Sequence, residues 1–198
     1  MSVFLPPATR ALILINVGVF VLQQLAGAPL AALFALWPLG SPLFRPWQLI
    51  TYAFLHGNVL HIFFNMFALF MFGRSLELYL GGRRLVLFFL VCVLTAALTQ
   101  LAVQRGSGVT QEVIGASGGV FGVLLAFAWY FPKAWIISLP VPIPLPAWLF
   151  VPLYGLAELF YGVTGKGQGV AHFAHLGGLL GGALCILYWR IRQRFASR

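Results

Sequence analysis

The chain has 198 residues, of which 61% are hydrophobic and 8% charged, with a formal net charge of +9. A water-soluble domain of this size has too little interior to hide that much apolar surface, so the composition excludes one. Twelve Lys and Arg stand against three acidic residues; in so apolar a chain this balance reports membrane orientation, and no nucleic-acid partner is expected.

About 20 apolar residues span the hydrocarbon of a bilayer. On that scale the candidate spans lie near 11–28, 59–80, 85–104, 116–131, 147–163 and 170–189. They predict an all-α polytopic membrane protein, with six transmembrane helices in a single domain over 1–198. The first span ends in Ala26-Gly27-Ala28, which has the small-x-small look of a cleavage site. Pro29 follows directly, and the apolar run from Ala11 exceeds the usual ~7–15-residue signal core, so a retained helix is expected.

Residues 29–57 are apolar but interrupted by Pro29, Pro38, Pro42 and Pro46. Interior prolines break the helical hydrogen-bond ladder, so short helices in the outer interface are predicted here, with Trp37, Trp47 and Arg45 at headgroup level. The proline cluster LPVPIPLP at 139–146 predicts an extended link between the fourth and fifth spans. GVTGKGQG at 162–169 predicts a flexible loop before the sixth. Cys92 and Cys185 both fall inside apolar spans, so neither a disulfide framework nor a cysteine metal site is indicated.

With six spans both termini share a side. That side holds Arg10, Arg74, Arg83, Arg84, Lys133, Arg190, Arg192, Arg194 and Arg198, against Arg45, Arg105 and Lys166 on the other. The asymmetry places both termini in the cytoplasm, and the basic tail at the anionic inner leaflet.

On this topology the unusual polar groups converge. Asn58 is a candidate N-cap for the second span, and His61 and Asn65 follow at i, i+4 spacing on one face. Ser117 opens the fourth span, and His172 and His175 lie in the first turns of the sixth. Each of these sits at the outer end of a descending segment. Polar groups in a membrane face the bundle interior or a watery cavity, so one outward-opening cavity is expected. Gly118 and Gly122, and Gly178 and Gly182, repeat at i, i+4, and such small-xxx-small faces let two helix backbones approach closely. Docking them would bring Ser117 and His175 together.

That pair permits acyl transfer: His175 is the candidate base for the Ser117 hydroxyl. Donors for the oxyanion are available from Asn65, His61 and the free N–H groups that open the fourth span. The sequence contains no aspartate, and its glutamates are Glu77, Glu112 and Glu158. None has a spacing relation to His175, so a Ser–His dyad is expected, with its imidazole held by packing and Phe121, one turn after Ser117, placed to stack on it. A transporter or channel would need polar groups through the full depth, whereas the inner halves of the fourth and sixth spans are apolar. A zinc protease is not indicated, since no HExxH occurs and no carboxylate is expected beside the histidines.

With these residues assembled, nearly the whole chain resembles the rhomboid family of intramembrane serine proteases. GASGGVFG (115–122) resembles the family's GxSG motif, which implies Ser117 as nucleophile. AHLGGLLGG (174–182) resembles AHxGG…G, implying His175 and not His172 as its partner. HGNVLHIFFN (56–65) resembles HxxxxHxxxN, implying His61 and Asn65 in an oxyanion hole completed by Ser117 and Gly118. GRSLELYLG (73–81) resembles GxxxExxxG, in which Glu77 is structural. Two positions depart from the pattern: Trp47-Gln48 stands where the family has Trp-Arg, and Phe121 where Tyr is frequent.

The resemblance implies an endopeptidase of a prokaryotic inner (plasma) membrane that cuts single-span proteins near the outer face. It implies no cofactor or metal; a non-catalytic rhomboid-like binder is the alternative.

Overall fold

A computed structural model describes residues 5–107, 111–137, 142–166 and 171–196. The chain runs through α1 (Pro7–Ala26), α2 (Ala28–Phe34), α3 (Gln48–Thr51) and a 3₁₀ turn (Tyr52–Phe54). It continues through α4 (Val59–Ala68), a π-helical turn (Leu69–Gly73), α5 (Arg74–Leu80), α6 (Gly82–Ser107) and α7 (Ser117–Tyr130). Strands β1 (Trp135–Ile137) and β2 (Pro144–Pro146) precede α8 (Ala147–Thr164) and α9 (His172–Ala196).

Among the described residues, five stretches are long and apolar enough to cross a membrane: Pro7–Ala26, Val59–Leu80, Gly82–Arg105, Ala147–Thr164 and His172–Arg194. The chain is therefore an all-α polytopic membrane protein. α7, the segment expected at 116–131, is a shorter apolar helix of 14 residues. At 1.5 Å per residue it is about 21 Å long, below the ~30 Å hydrocarbon thickness. It need not meet lipid along its length, because Gly118–Leu124 and Ala126–Ala128 are buried and it packs on both α6 and α9. It stops at Tyr130 because Phe131 precedes Pro132, and a residue before proline is pushed out of the helical region.

The α7–α9 contact depends on glycine. A Cβ on Gly178 would run into the Gly118 carbonyl, and one on Gly182 would meet the Gly122 Cα at 3.2 Å. The two backbones touch because neither side chain exists, which sets Ser117 beside the first turns of α9.

α1 begins a turn before the expected start, with Pro7 in its first turn. Glu77 of α5 caps it: the carboxylate accepts from Ala8 N at 2.8 Å, Thr9 N at 2.6 Å and Thr9 Oγ1 at 2.7 Å. A negative charge at a helix N-terminus also complements its dipole.

The segment 29–57 forms the short helices α2 and α3. The fully buried Gln48 gathers it together: its Oε1 accepts from Arg45 N at 3.1 Å and Trp37 N at 3.4 Å. Its Nε2 donates to Leu43 O at 2.9 Å and Leu33 O at 3.2 Å.

The proline cluster is extended where described, but it is not a free link. β2 folds back antiparallel on β1, with Leu145 opposite Ile136. Residues 139–141, and 167–169 of the expected glycine-rich loop, lie outside the described residues.

Candidate active site

Ser117 is the first residue of α7, and three elements hold the chain that leads into it. Leu36 and Val113 exchange two backbone hydrogen bonds of 2.9 Å, and Gly115 N donates to Tyr52 O at 2.9 Å. Tyr52 is anchored in turn by its hydroxyl, which donates to Val93 O of α6 at 2.9 Å; burial pushes that phenol up from its ordinary pKa. Gly115 has φ +125°, and a Cβ there would come within 2.7 Å of the His61 ring. Both the backbone conformation and the space demand glycine. The absence of that side chain brings His61 over the approach to Ser117.

His175, in the first turn of α9, is buried and lies with Nε2 2.7 Å from Ser117 Oγ. Phe121 stacks on its ring at 4.3 Å with 10° between planes, and Tyr154 of α8 packs on Phe121 at 4.9 Å. Asn58 caps α4, accepting from His61 N at 2.8 Å. Asn65 is buried one turn below His61, and its Nδ2 donates to the His61 carbonyl at 3.0 Å.

His56 is fully buried and packs edge-on against His61 at 5.0 Å. Its backbone exchanges two hydrogen bonds with the Gln23 side chain of α1, at 2.9 and 3.0 Å. Its ring nitrogens have no hydrogen-bond partner among the described residues. Burial, then the neighbouring His61, lowers its pKa to about 4, with the Phe54 backbone acting in the opposite direction.

One expectation is corrected here. Glu158 does join the histidines: its Oε2 is 2.9 Å from His175 Nδ1 and 2.6 Å from His172 Nδ1. The imidazole is thus held by a carboxylate as well as by packing. Sequence spacing missed this because Glu158 and His175 stand on different helices, 17 residues apart, and meet only where α8 packs on α9. The available signal was Glu158 itself, a lone ionisable group in an apolar span, where such groups mark function.

Glu158, His172 and His175 each offer one ligand atom within 4.8 Å of the others, a set that could hold a metal ion. The two carboxylate contacts, at 2.6 and 2.9 Å, are shorter than the roughly 3.3 Å between ligands around tetrahedral zinc with ~2.0 Å bonds. They have the lengths of charge-assisted hydrogen bonds.

A rhomboid-domain family model matches residues 43–192. The chain is 31% identical over 124 residues to Rhomboid protease GlpG of Klebsiella pneumoniae, covering 62% of this chain and 43% of that protein. It is 29% identical over 193 residues to Rhomboid protease GlpG of Photorhabdus laumondii, covering 96% and 64%. It is 32% identical over 142 residues to Rhomboid protein 1, mitochondrial, of Saccharomyces cerevisiae, covering 69% and 40%. The chain thus spans less than two thirds of the length of these relatives. The match runs from the segment that Gln48 ties together to the last turns of α9, and on it this chain belongs to the rhomboid family.

Proposed function

We propose that this chain is an intramembrane serine endopeptidase that cleaves single-span membrane proteins near the outer face of the bilayer. The observation that carries the reading is the 2.7 Å contact between Ser117 Oγ and His175 Nε2 at the N-terminus of a buried helix. The membership of the rhomboid family and the names of its relatives support it.

The Ser117 hydroxyl donates to His175 Nε2, and its proton passes there as Oγ attacks the scissile carbonyl. The oxyanion meets the amide N–H groups of Ser117 and Gly118, which open α7 and have no partner within the helix. Asn65 spends one amide hydrogen on the His61 carbonyl and keeps a second for the oxyanion. The His61 ring lies beside the same approach. His175 then returns its proton to the departing amine, and water releases the acyl group from Ser117. Phe121 keeps the imidazole plane fixed throughout.

In the bilayer both termini face the cytoplasm, by the nine-to-three distribution of basic residues, and the Ser117 end of α7 faces outward. Labelling of the purified protein with a fluorophosphonate tests the reading. Ser117 is the expected site, and Ser117→Ala and His175→Ala are each expected to abolish labelling and cleavage while the protein still folds. A wild type that folds but neither labels nor cleaves would favour the non-catalytic rhomboid-like binder.

A further inference from the structure

We propose that Glu158 is a positioning residue for His175, so that the reacting Ser117–His175 pair is oriented by the Glu158 carboxylate, with His172 holding the same carboxylate oxygen. The inference rests on the protease reading. An ionised carboxylate can only accept hydrogen bonds. The 2.9 Å contact therefore places a proton on His175 Nδ1 and leaves the Nε2 lone pair directed at Ser117 Oγ, 2.7 Å away. The other tautomer would present an N–H to the serine and could not accept its proton.

When Oγ bonds to the carbonyl carbon, the serine proton moves to Nε2 and the ring becomes an imidazolium. Glu158 stays ionised and faces that new charge through the Nδ1–H bond. When the C–N bond breaks, the Nε2 proton leaves with the amine and the ring returns to its starting tautomer. The carboxylate neither gains nor loses a proton.

His172 supplies the second constraint. Its Nδ1 lies 2.6 Å from the same Oε2, and its ring stacks on Tyr161 at 5.6 Å. A carboxylate oxygen shared by two N–H donors three residues apart in the first turn of α9 cannot rotate away from His175 without breaking both bonds. Both partners are nearly buried, with side chains only 10% and 7% exposed, so water competes weakly for these contacts.

The test is steady-state cleavage of a single-span substrate in proteoliposomes by wild type, Glu158→Gln and His172→Phe, with fluorophosphonate labelling rates beside it. Glu158→Gln is expected to lower kcat roughly 10²-fold with KM within about twofold, and to slow Ser117 labelling in parallel. His172→Phe, which keeps a ring against Tyr161, is expected to lower kcat by about 3- to 10-fold. Ring ¹⁵N spectra of the wild type, with His175 assigned by comparison with His175→Ala, should show Nδ1 protonated and Nε2 bare; this arm stands even if Glu158→Gln does not fold. A Glu158→Gln enzyme within about threefold of wild-type kcat, or an Nε2–H tautomer at His175, would overturn the role of Glu158 and leave the protease reading standing. A wild type inert to both substrate and probe would overturn the protease reading, and this inference with it.

Discussion

Gln48 stands where the family motif carries arginine, and its contacts explain how the substitution works. A glutamine side chain both accepts and donates, and this one satisfies two backbone N–H groups and two carbonyls of a proline-rich segment. An arginine could only donate. Gln48→Arg is therefore expected to leave the Arg45 and Trp37 amides unpaired, lowering stability by about 1–3 kcal/mol, read as a lower thermal midpoint in detergent. His56 gives a second test. Its folded pKa of about 4 lies below the usual 6.5, so the unfolded chain binds the extra proton between those values. Its contribution to stability is complete above pH 6.5 and falls as pH drops toward 4, by up to about 3 kcal/mol. His56→Leu should flatten the decline in thermal midpoint across that window. At Asn65, Asn65→Ala is expected to lower kcat by about 10²-fold with KM little changed, because its donated bond strengthens in the transition state; steady-state kinetics reads the split. Ser117 and His175 were legible because glycines needed for backbone contact flank both. Glu158 was not, because only the packing of α8 against α9 puts it beside His175.

Two helices show what the elements add. A membrane-embedded substrate has to enter between helices, and α8, interrupted by Pro152 and Gly155, is proposed as the gate. Its Glu158, however, bonds α8 to the first turns of α9, so an opening that swings its outer end away would dismantle the support of His175. Movement is better placed near Phe150, which is half-buried and packs on Tyr154 at 5.6 Å. Phe150→Ala is expected to raise turnover of membrane-embedded substrate a few-fold. Leu153 is 47% exposed, so Leu153→Ala should change turnover little; equal gains from both would contradict this placement. α1 and α5 make the other pair. Glu77→Ala strands two α1 amides and the Thr9 hydroxyl, with an expected loss of about 3 kcal/mol, measured as a lower thermal midpoint. The helices were legible from hydropathy and their ends from proline and glycine. The β1–β2 hairpin was not: Pro144 and Pro146 lack N–H groups and signal extended chain, while the partner that Leu145 finds in Ile136 is set by where α7 and α8 lie.

For the whole molecule, the central fact is a short, buried helix held between α6 and α9 with its N-terminus facing a cluster of histidines. Such a helix can carry a hydrophilic site below the membrane surface because its own flanks never need to face lipid. α7 begins at Ser117, and α4, α8 and α9 bring His61, Glu158 and His175 to that end. The site requires no metal in this account, so EDTA is expected to leave cleavage unchanged. The most direct measurement is cleavage of a single-span substrate by purified protein in proteoliposomes, with the products mapped by mass spectrometry, for wild type and Ser117→Ala. The account predicts one cut near the outer face of the substrate's span by the wild type and none by Ser117→Ala. Equal cleavage by both would contradict it.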